Sequence, residues 1–289
     1  MLKIKNYNFT YDEKIVFKNA SLNIHNGVCV GIVGVNGCGK TTLLLSLAGL
    51  NRPNDASITY NQQSISENLY YQRHVVYLSE EIIDDNYTMA SYLKRLRKIY
   101  SKEVNWAVYD FLVSSLSLNT TQVMSDMTKG KRRLAYLTCF MALQPKVVIL
   151  DEYLDGIDIL SSNTLKSFLI DYKKKYEAII IVSSHSSDDI KDMCDYLSYV
   201  DSFALTKLIP VNELTSRYNV YKLNSDTVLE RDDFIKKGIF VKDFKQEGNT
   251  YYISFENNQE TIDLLHQHFK DVTKIPSDLG EAIFYELVS

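Results

Sequence analysis

Residues 34–42 read Gly34-Val35-Asn36-Gly37-Cys38-Gly39-Lys40-Thr41-Thr42, a glycine-rich turn of the form G-x-x-x-x-G-K-[ST]. Its flanks give it meaning. Residues 28–33 are a short run rich in valine and isoleucine, as in a buried strand. Residues 41–50 carry leucines at 43, 44, 45, 47 and 50, with no glycine before Gly49, as in a helix. A turn between such elements aims several backbone N–H groups and the positive end of the helix at one point, and glycine lets the backbone come close. The ligand that suits this geometry is a polyphosphate, and the host is an α/β fold. Candidate contacts are Gly34, Asn36, Gly37, Cys38, Gly39, Lys40, Thr41 and Thr42. The Lys40 ammonium would reach the β- and γ-phosphates of a nucleoside triphosphate, and the Thr41 hydroxyl would hold Mg²⁺.

Two later segments belong to the same site. Val147-Val148-Ile149-Leu150 runs straight into Asp151-Glu152. A buried strand ending in a carboxylate puts Asp151 beside the phosphate loop, where it can hold the Mg²⁺ shell. Glu152 then stands where a base can orient and deprotonate a water attacking the γ-phosphate. A further apolar run, 178–182, ends in Ser183-Ser184-His185, so His185 also falls at the carboxyl end of a strand, the edge at which open α/β sheets bind ligands. Alone, His185 reads as an ordinary core or surface histidine; joined to the two upstream motifs it becomes a catalytic candidate.

In this order of parts the chain resembles the ATP-binding-cassette (ABC) ATPases over roughly residues 1–215. The resemblance implies that Tyr11 stacks on adenine, a contact worth about 1–3 kcal/mol per base in single-strand binders. Tyr77-Leu78-Ser79-Glu80 falls at the family's glutamine loop, with Glu80 in place of the usual glutamine, as in a subset of its exporters. Glu80 would join Thr41 and Asp151 around Mg²⁺. The signature, Leu-Ser-Gly-Gly-Gln in the family, aligns with Met127-Thr128-Lys129-Gly130-Lys131, which keeps a glycine at Gly130 and a hydroxyl at Thr128. Ser125 is a competing hydroxyl with no glycine at the right offset. Asp155-Gly156-Ile157-Asp158 matches the D-loop, which makes Asp158 a contact to the ATP site, and Tyr153 stands where the family commonly has proline. The implied cofactors are ATP and Mg²⁺. The implied partners are a second ATPase subunit, identical or similar, and a separate transmembrane permease. The implied location is cytoplasmic, peripheral on the inner face of the cell membrane.

Composition narrows the alternatives. A formal net charge of −4 over 289 residues argues against nucleic acid as the main partner. The clusters Lys94-Arg95-Arg97-Lys98 and Lys173-Lys174-Lys175 read as solvated helix faces. The longest apolar run, 178–182, falls far short of the ~20 residues of a spanning helix, and residues 1–5 alternate rather than forming a signal peptide. Cys29, Cys38, Cys139 and Cys194 lack C-x-x-C spacing, as expected of reduced thiols with no zinc site. His266 and His268 read as a helix surface.

The expected architecture is a P-loop NTPase of the ABC nucleotide-binding type over 1–217, with a helical subdomain inserted at about 82–140, and a small α/β appendage over 218–289. Strands are expected at 2–9 and 14–24, and helices at 89–100, 106–116, 130–143 and 160–172. In the appendage, strands are expected at 218–223, 238–241 and 250–255, and helices at 261–269 and 279–285. The function expected from the resemblance is the ATP-hydrolysing subunit of an exporter. The alternatives are a nucleotide-binding regulator with low turnover and a soluble ABC ATPase outside transport. The latter commonly carries paired cassettes or a coiled-coil insertion, whereas one phosphate loop and no heptad array occur here.

Overall fold

The structure, a computed structural model, describes residues 1–11, 13–79, 86–184, 187–201, 203–276, 279–280 and 282–283. The chain forms two compact units, Met1–Leu208 and Ile209–Ser289. The division precedes the boundary drawn from the sequence, because helix Val211–Arg217 falls with the second unit.

The first unit is built on two sheets. The antiparallel one runs in the order Lys14–Ile24, Leu2–Tyr11, Asp55–Tyr60, Gln63–Ser64. Its first strand buries Leu2, Ile4, Tyr7 and Phe9. The step from Ile4 to Tyr7 breaks strict alternation; an irregularity there, with Asn6 at φ 51°, turns Tyr7 and Phe9 back toward the core. The second sheet runs Ala204–Leu205, Tyr196–Asp201, Cys29–Val33, Ile179–Ser183, Val147–Asp151, Val75–Ser79. Along this order the neighbouring strands are parallel except the first pair. Strands 29–33, 147–151 and 179–183 are buried at every residue, which is why they read as unbroken apolar runs. The two sheets share a core that includes Phe17, Ile32, Leu43 and Ile149.

The register of the parallel sheet positions the site. Ile32 pairs with Ser183, Ser183 with Asp151, and Asp151 with Ser79. The chain therefore leaves four strands in line, at one edge, after Val33, Ser183, Asp151 and Ser79. Helix Lys40–Leu47 follows the phosphate loop and stops short of the expected residue 50, because Gly49 turns to φ 78°. Helices Met89–Tyr100, Trp106–Ser115 and Lys129–Met141 form the helical segment, with N-caps Thr88, Asn105 and Thr128 accepting from the backbone three residues on. Helix Ile159–Tyr176 runs longer than expected at both ends. All four cysteines are free thiols, with Cys29 and Cys194 Sγ 3.6 Å apart. Among the described residues no helix is long and apolar enough to cross a membrane.

After helix Val211–Arg217 the second unit runs strand, helix, strand, strand, helix, strand: Tyr218–Asn224, Arg231–Ile235, Asp243–Glu247, Thr250–Glu256, Gln259–His268, Thr273–Ile275. Its sheet order, 243–247, 250–256, 218–224, 273–275, with every neighbour antiparallel, is a split β-α-β. The strand expected at 238–241 is absent. Ile239 and Val241 are buried and Phe240 is 74% exposed, so side chains alternate as in a strand while the backbone joins no ladder. The ladder starts two residues later, on the charged segment Asp243–Glu247.

A chain ending at Leu208 is expected to stay folded and to bind MgATP within about threefold of the parent. Circular dichroism and calorimetry check this; a folded truncation without ATP binding would assign part of the site to the second unit.

Candidate functional site

The phosphate loop is held by packing from behind. Gly39 sits at φ 110°, a conformation that L side chains rarely adopt, and caps helix Lys40–Leu47. A β-carbon on it would lie 2.6 Å from Val16 Cγ1 and 2.8 Å from Phe17 Cε2, so the antiparallel sheet presses directly on the loop. Gly37, also at positive φ, has nothing within 4 Å of that position and opens outward. Lys40 is 6% exposed, and its Nζ donates to the carbonyls of Gly34 at 2.9 Å and Val35 at 3.3 Å. The ammonium is thereby folded over the loop. Together with the N–H groups of the first helical turn, which have no intrahelical acceptor, it makes an anion cradle.

The cradle is the floor of a cleft of about 630 Å³ lined by Tyr11, Ile15, Val16, Phe203, residues 36–42 and Glu152. Tyr11 is half exposed and stands edge-on to Phe9, with centroids 5.0 Å apart. Phe203, equally exposed, adds a second aromatic surface that the sequence did not single out.

Asp151 lies under the cleft, 4% exposed. Tyr77 Oη donates to its Oδ2 at 2.9 Å and Ser183 Oγ to its Oδ1 at 2.5 Å. The Glu152 N–H bonds both the carbonyl and the hydroxyl of Ser183, each at 3.1 Å. That grip holds Glu152 at φ 51°, a left-handed conformation unusual outside glycine that lifts its side chain into the cleft. Tyr77 and Ser183 are partners of Asp151 that sequence reasoning missed, since those contacts depend on strand register.

Thr128, Gly130 and Asp158 stand outside the cleft. Thr128 is exposed at the N-cap of helix Lys129–Met141, its hydroxyl accepting from Lys131 N–H at 3.4 Å. Lys131 turns away from the tip, and its Nζ donates to the Leu116 carbonyl at 2.7 Å. Asp158 caps helix Ile159–Tyr176, accepting from Ser161 N–H at 3.0 Å, and that bond holds its carboxyl below the usual pKa. Glu80 and His185 lie outside the described residues.

The donor set fits ATP and Mg²⁺. A cradle shaped by glycines and a folded lysine suits the phosphates. An alcohol at Thr41 and a carboxylate at Asp151 suit an oxygen-loving cation that keeps most of its own waters.

Residues 17–155 match the ABC transporter family. The chain is 25% identical over 229 residues to the ABC transporter ATP-binding protein YtrB of Bacillus subtilis, covering 78% of each. It is 21% identical over 293 residues to the spermidine/putrescine import ATP-binding protein PotA of Mycoplasma capricolum subsp. capricolum, covering 96% of this chain and 82% of that one. A solved ATP-binding subunit of an ABC transporter matches with a TM-score of 0.67 at 21% identity, covering 74% of this chain and 91% of that chain. The cassette MJ0796, solved as a dimer in a post-hydrolysis state with ADP and Pi, matches with a TM-score of 0.64 at 16% identity, covering 73% and 98%. These structural likenesses bear out the P-loop NTPase fold of ABC ATPase domains expected from the sequence.

Lys40→Ala is expected to weaken MgATP binding by about 100-fold or more, roughly 3 kcal/mol, because the charge that meets the phosphates is gone. Calorimetry reads this directly. Ser183→Ala takes the hydroxyl donor from Asp151 Oδ1, at a cost of about 1–3 kcal/mol, and leaves the Glu152 N–H with the Ser183 carbonyl. Turnover should fall about tenfold or more while ATP affinity stays within about threefold; an unchanged rate would remove Ser183 from the site.

Proposed function

We propose that this chain, whose residues 17–155 match the ABC transporter family, is an ATP-binding subunit that works in pairs closed over ATP and energises export through a separate membrane protein. Hydrolysis of ATP coupled to transport is the activity of the family. The observation that carries the paired reading is the division of the machinery: the phosphate loop and Glu152 line one cleft, while Thr128 and Gly130 stand outside it. A second subunit, identical or similar, supplies those groups across the γ-phosphate. The dimeric state of the MJ0796 cassette with ADP and Pi supports this.

In this reading the N–H groups of the phosphate loop and Lys40 bind the phosphates, while Tyr11 stacks on the adenine. Thr41 and Asp151, with Glu80, would hold Mg²⁺, which would supply charge neutralisation at the phosphates. Glu152 takes a proton from the attacking water, His185 helps to position the reacting groups, and Asp158 belongs to the loop that touches the partner subunit. Closing and reopening of the pair pulls on a permease at the inner face of the membrane. The export direction rests on Glu80, which resembles a subset of the family's exporters, and on the ending Asp278-Leu279-Gly280-Glu281-Ala282-Ile283-Phe284, which is similar to the close of many exporter ATPases. Import is the second reading, favoured by the likeness to PotA along nearly the whole chain. Vesicles holding the membrane partner decide between them: ATP outside inverted vesicles drives cargo in for an exporter, whereas an importer empties them.

Glu152→Gln should keep ATP affinity while lowering turnover by about 10²–10⁴-fold, as loss of a general base does. It should also accumulate an ATP-bound dimer on size exclusion. Hydrolysis at the parental rate would remove Glu152 from the role of base.

A further inference from the structure

The tip that carries Thr128 and Gly130 is bolted to the loop that follows Glu152 in the same chain. A β-carbon on Gly130 would lie 3.1 Å from the Gly156 carbonyl oxygen and 3.7 Å from Ile157 Cα, so the two backbones meet closely there and a side chain would need the loop to give by a few tenths of an ångström. Almost one helical turn further on, Arg133 has no exposed surface. Its Nη1 donates to the carbonyl oxygens of Tyr153, at 3.3 Å, and Asp155. The Tyr153 hydroxyl returns a hydrogen bond to the Arg133 carbonyl, and the guanidinium carbon lies 5.9 Å from the centre of the Tyr153 ring. Tyr153 is itself 1% exposed, and burial raises its phenol well above the ordinary pKa, so the hydroxyl remains a donor.

A buried guanidinium facing backbone carbonyls is an expensive way to pack a helix against a loop, since apolar residues of similar volume would be as stable or more so. What the polar arrangement adds is direction. Hydrogen bonds running both ways, with a ring under the cation, fix the sliding and rotation of helix Lys129–Met141 against residues 153–157, which apolar contact alone leaves soft.

We propose that Arg133 and Tyr153 are positioning residues that make the 128–130 tip and the loop after Glu152 move as one body. The inference rests on the paired reading above. In a closed pair, the tip of one subunit reaches the partner's ATP, while its loop continues from that subunit's own Glu152. A rigid link between them transmits the state of one ATP site to the other, so both fire together.

The test compares the parent with Tyr153→Phe, which deletes the returning hydroxyl and keeps the ring, and with Arg133→Lys, which keeps the charge and loses the fork. Three quantities are read: ATP affinity at equilibrium, the Hill coefficient of hydrolysis against ATP concentration, and the ATP-induced dimer in the Glu152→Gln background. Cooperative firing gives the parent a coefficient approaching about 2 for two coupled sites. In Tyr153→Phe the coefficient should fall toward 1 with affinity changed less than about threefold, and Arg133→Lys should fall at least as far. A merely structural contact would lower the melting temperature and the rate but leave the coefficient alone. Tyr153→Phe with parental cooperativity overturns the proposal even where Arg133→Lys fails to fold. A parent with a coefficient of 1 and no ATP-induced dimer overturns the paired reading itself, and the link with it; a parental dimer with cooperativity untouched by Tyr153→Phe overturns the link alone.

Discussion

The Ser183 hydroxyl joins the parts of the candidate site that must not drift. It donates to Asp151 Oδ1 and accepts from the N–H of Glu152, at the end of a strand that lies between the Asp151 strand and the phosphate-loop strand. Because the parallel ladder sets Ile32, Ser183 and Asp151 side by side, a slip of one residue between Ser183 and Asp151 would point the hydroxyl away from the carboxylate, and one between Ile32 and Ser183 would shift both relative to the phosphate loop. The fully buried strands make such a slip costly. Each residue of 147–151 and 179–183 is packed on both faces, so register is enforced by the whole core rather than by the hydrogen bonds at its rim.

The same rigidity lets the site hold conformations that a looser scaffold would relax. Gly39 at φ 110° and Glu152 at φ 51° stand on either side of the cleft, one crowded by Val16 and Phe17, the other gripped by Ser183. A left-handed non-glycine residue costs about 1–3 kcal/mol and persists only when its surroundings over-determine it. Here the return is orientation: the turn at Glu152 takes its side chain out of the line of the strand and into the cleft, next to the loop that meets the phosphates.

Much of this was legible in the sequence where the chemistry is local. The phosphate loop declares itself because its glycines, Lys40 and Thr41 act within one turn of chain, and Asp151-Glu152 because an apolar run ends in acid. Tyr77 and Ser183 were visible as residues but not as partners of Asp151, since nothing within either segment states which residue of a distant strand it will face. Arg133 reads as one more cation after Lys131 and Arg132, and only the fold shows it inside. In the second unit the apolar alternation of 239–241 suggested a strand, yet the ladder formed on Asp243–Glu247. That strand is an edge, where charges such as Lys245 and Glu247 discourage pairing with other chains and so erase the pattern a reader looks for.

The altered signature takes on a different meaning against this background. Lys131, in the place of the family's glutamine, does not crowd the tip but ties it to the Leu116 carbonyl, while Gly130 allows the close approach of Gly156. Both deviant and retained residues thus serve contacts within the chain, and what the tip offers outward is the exposed hydroxyl of Thr128 at the positive end of a helix. An anion needs little more than that from a helix end. The loss of sequence likeness at 127–131 is therefore compatible with a working tip, because a partner's phosphate would meet backbone and one hydroxyl rather than the side chains that changed.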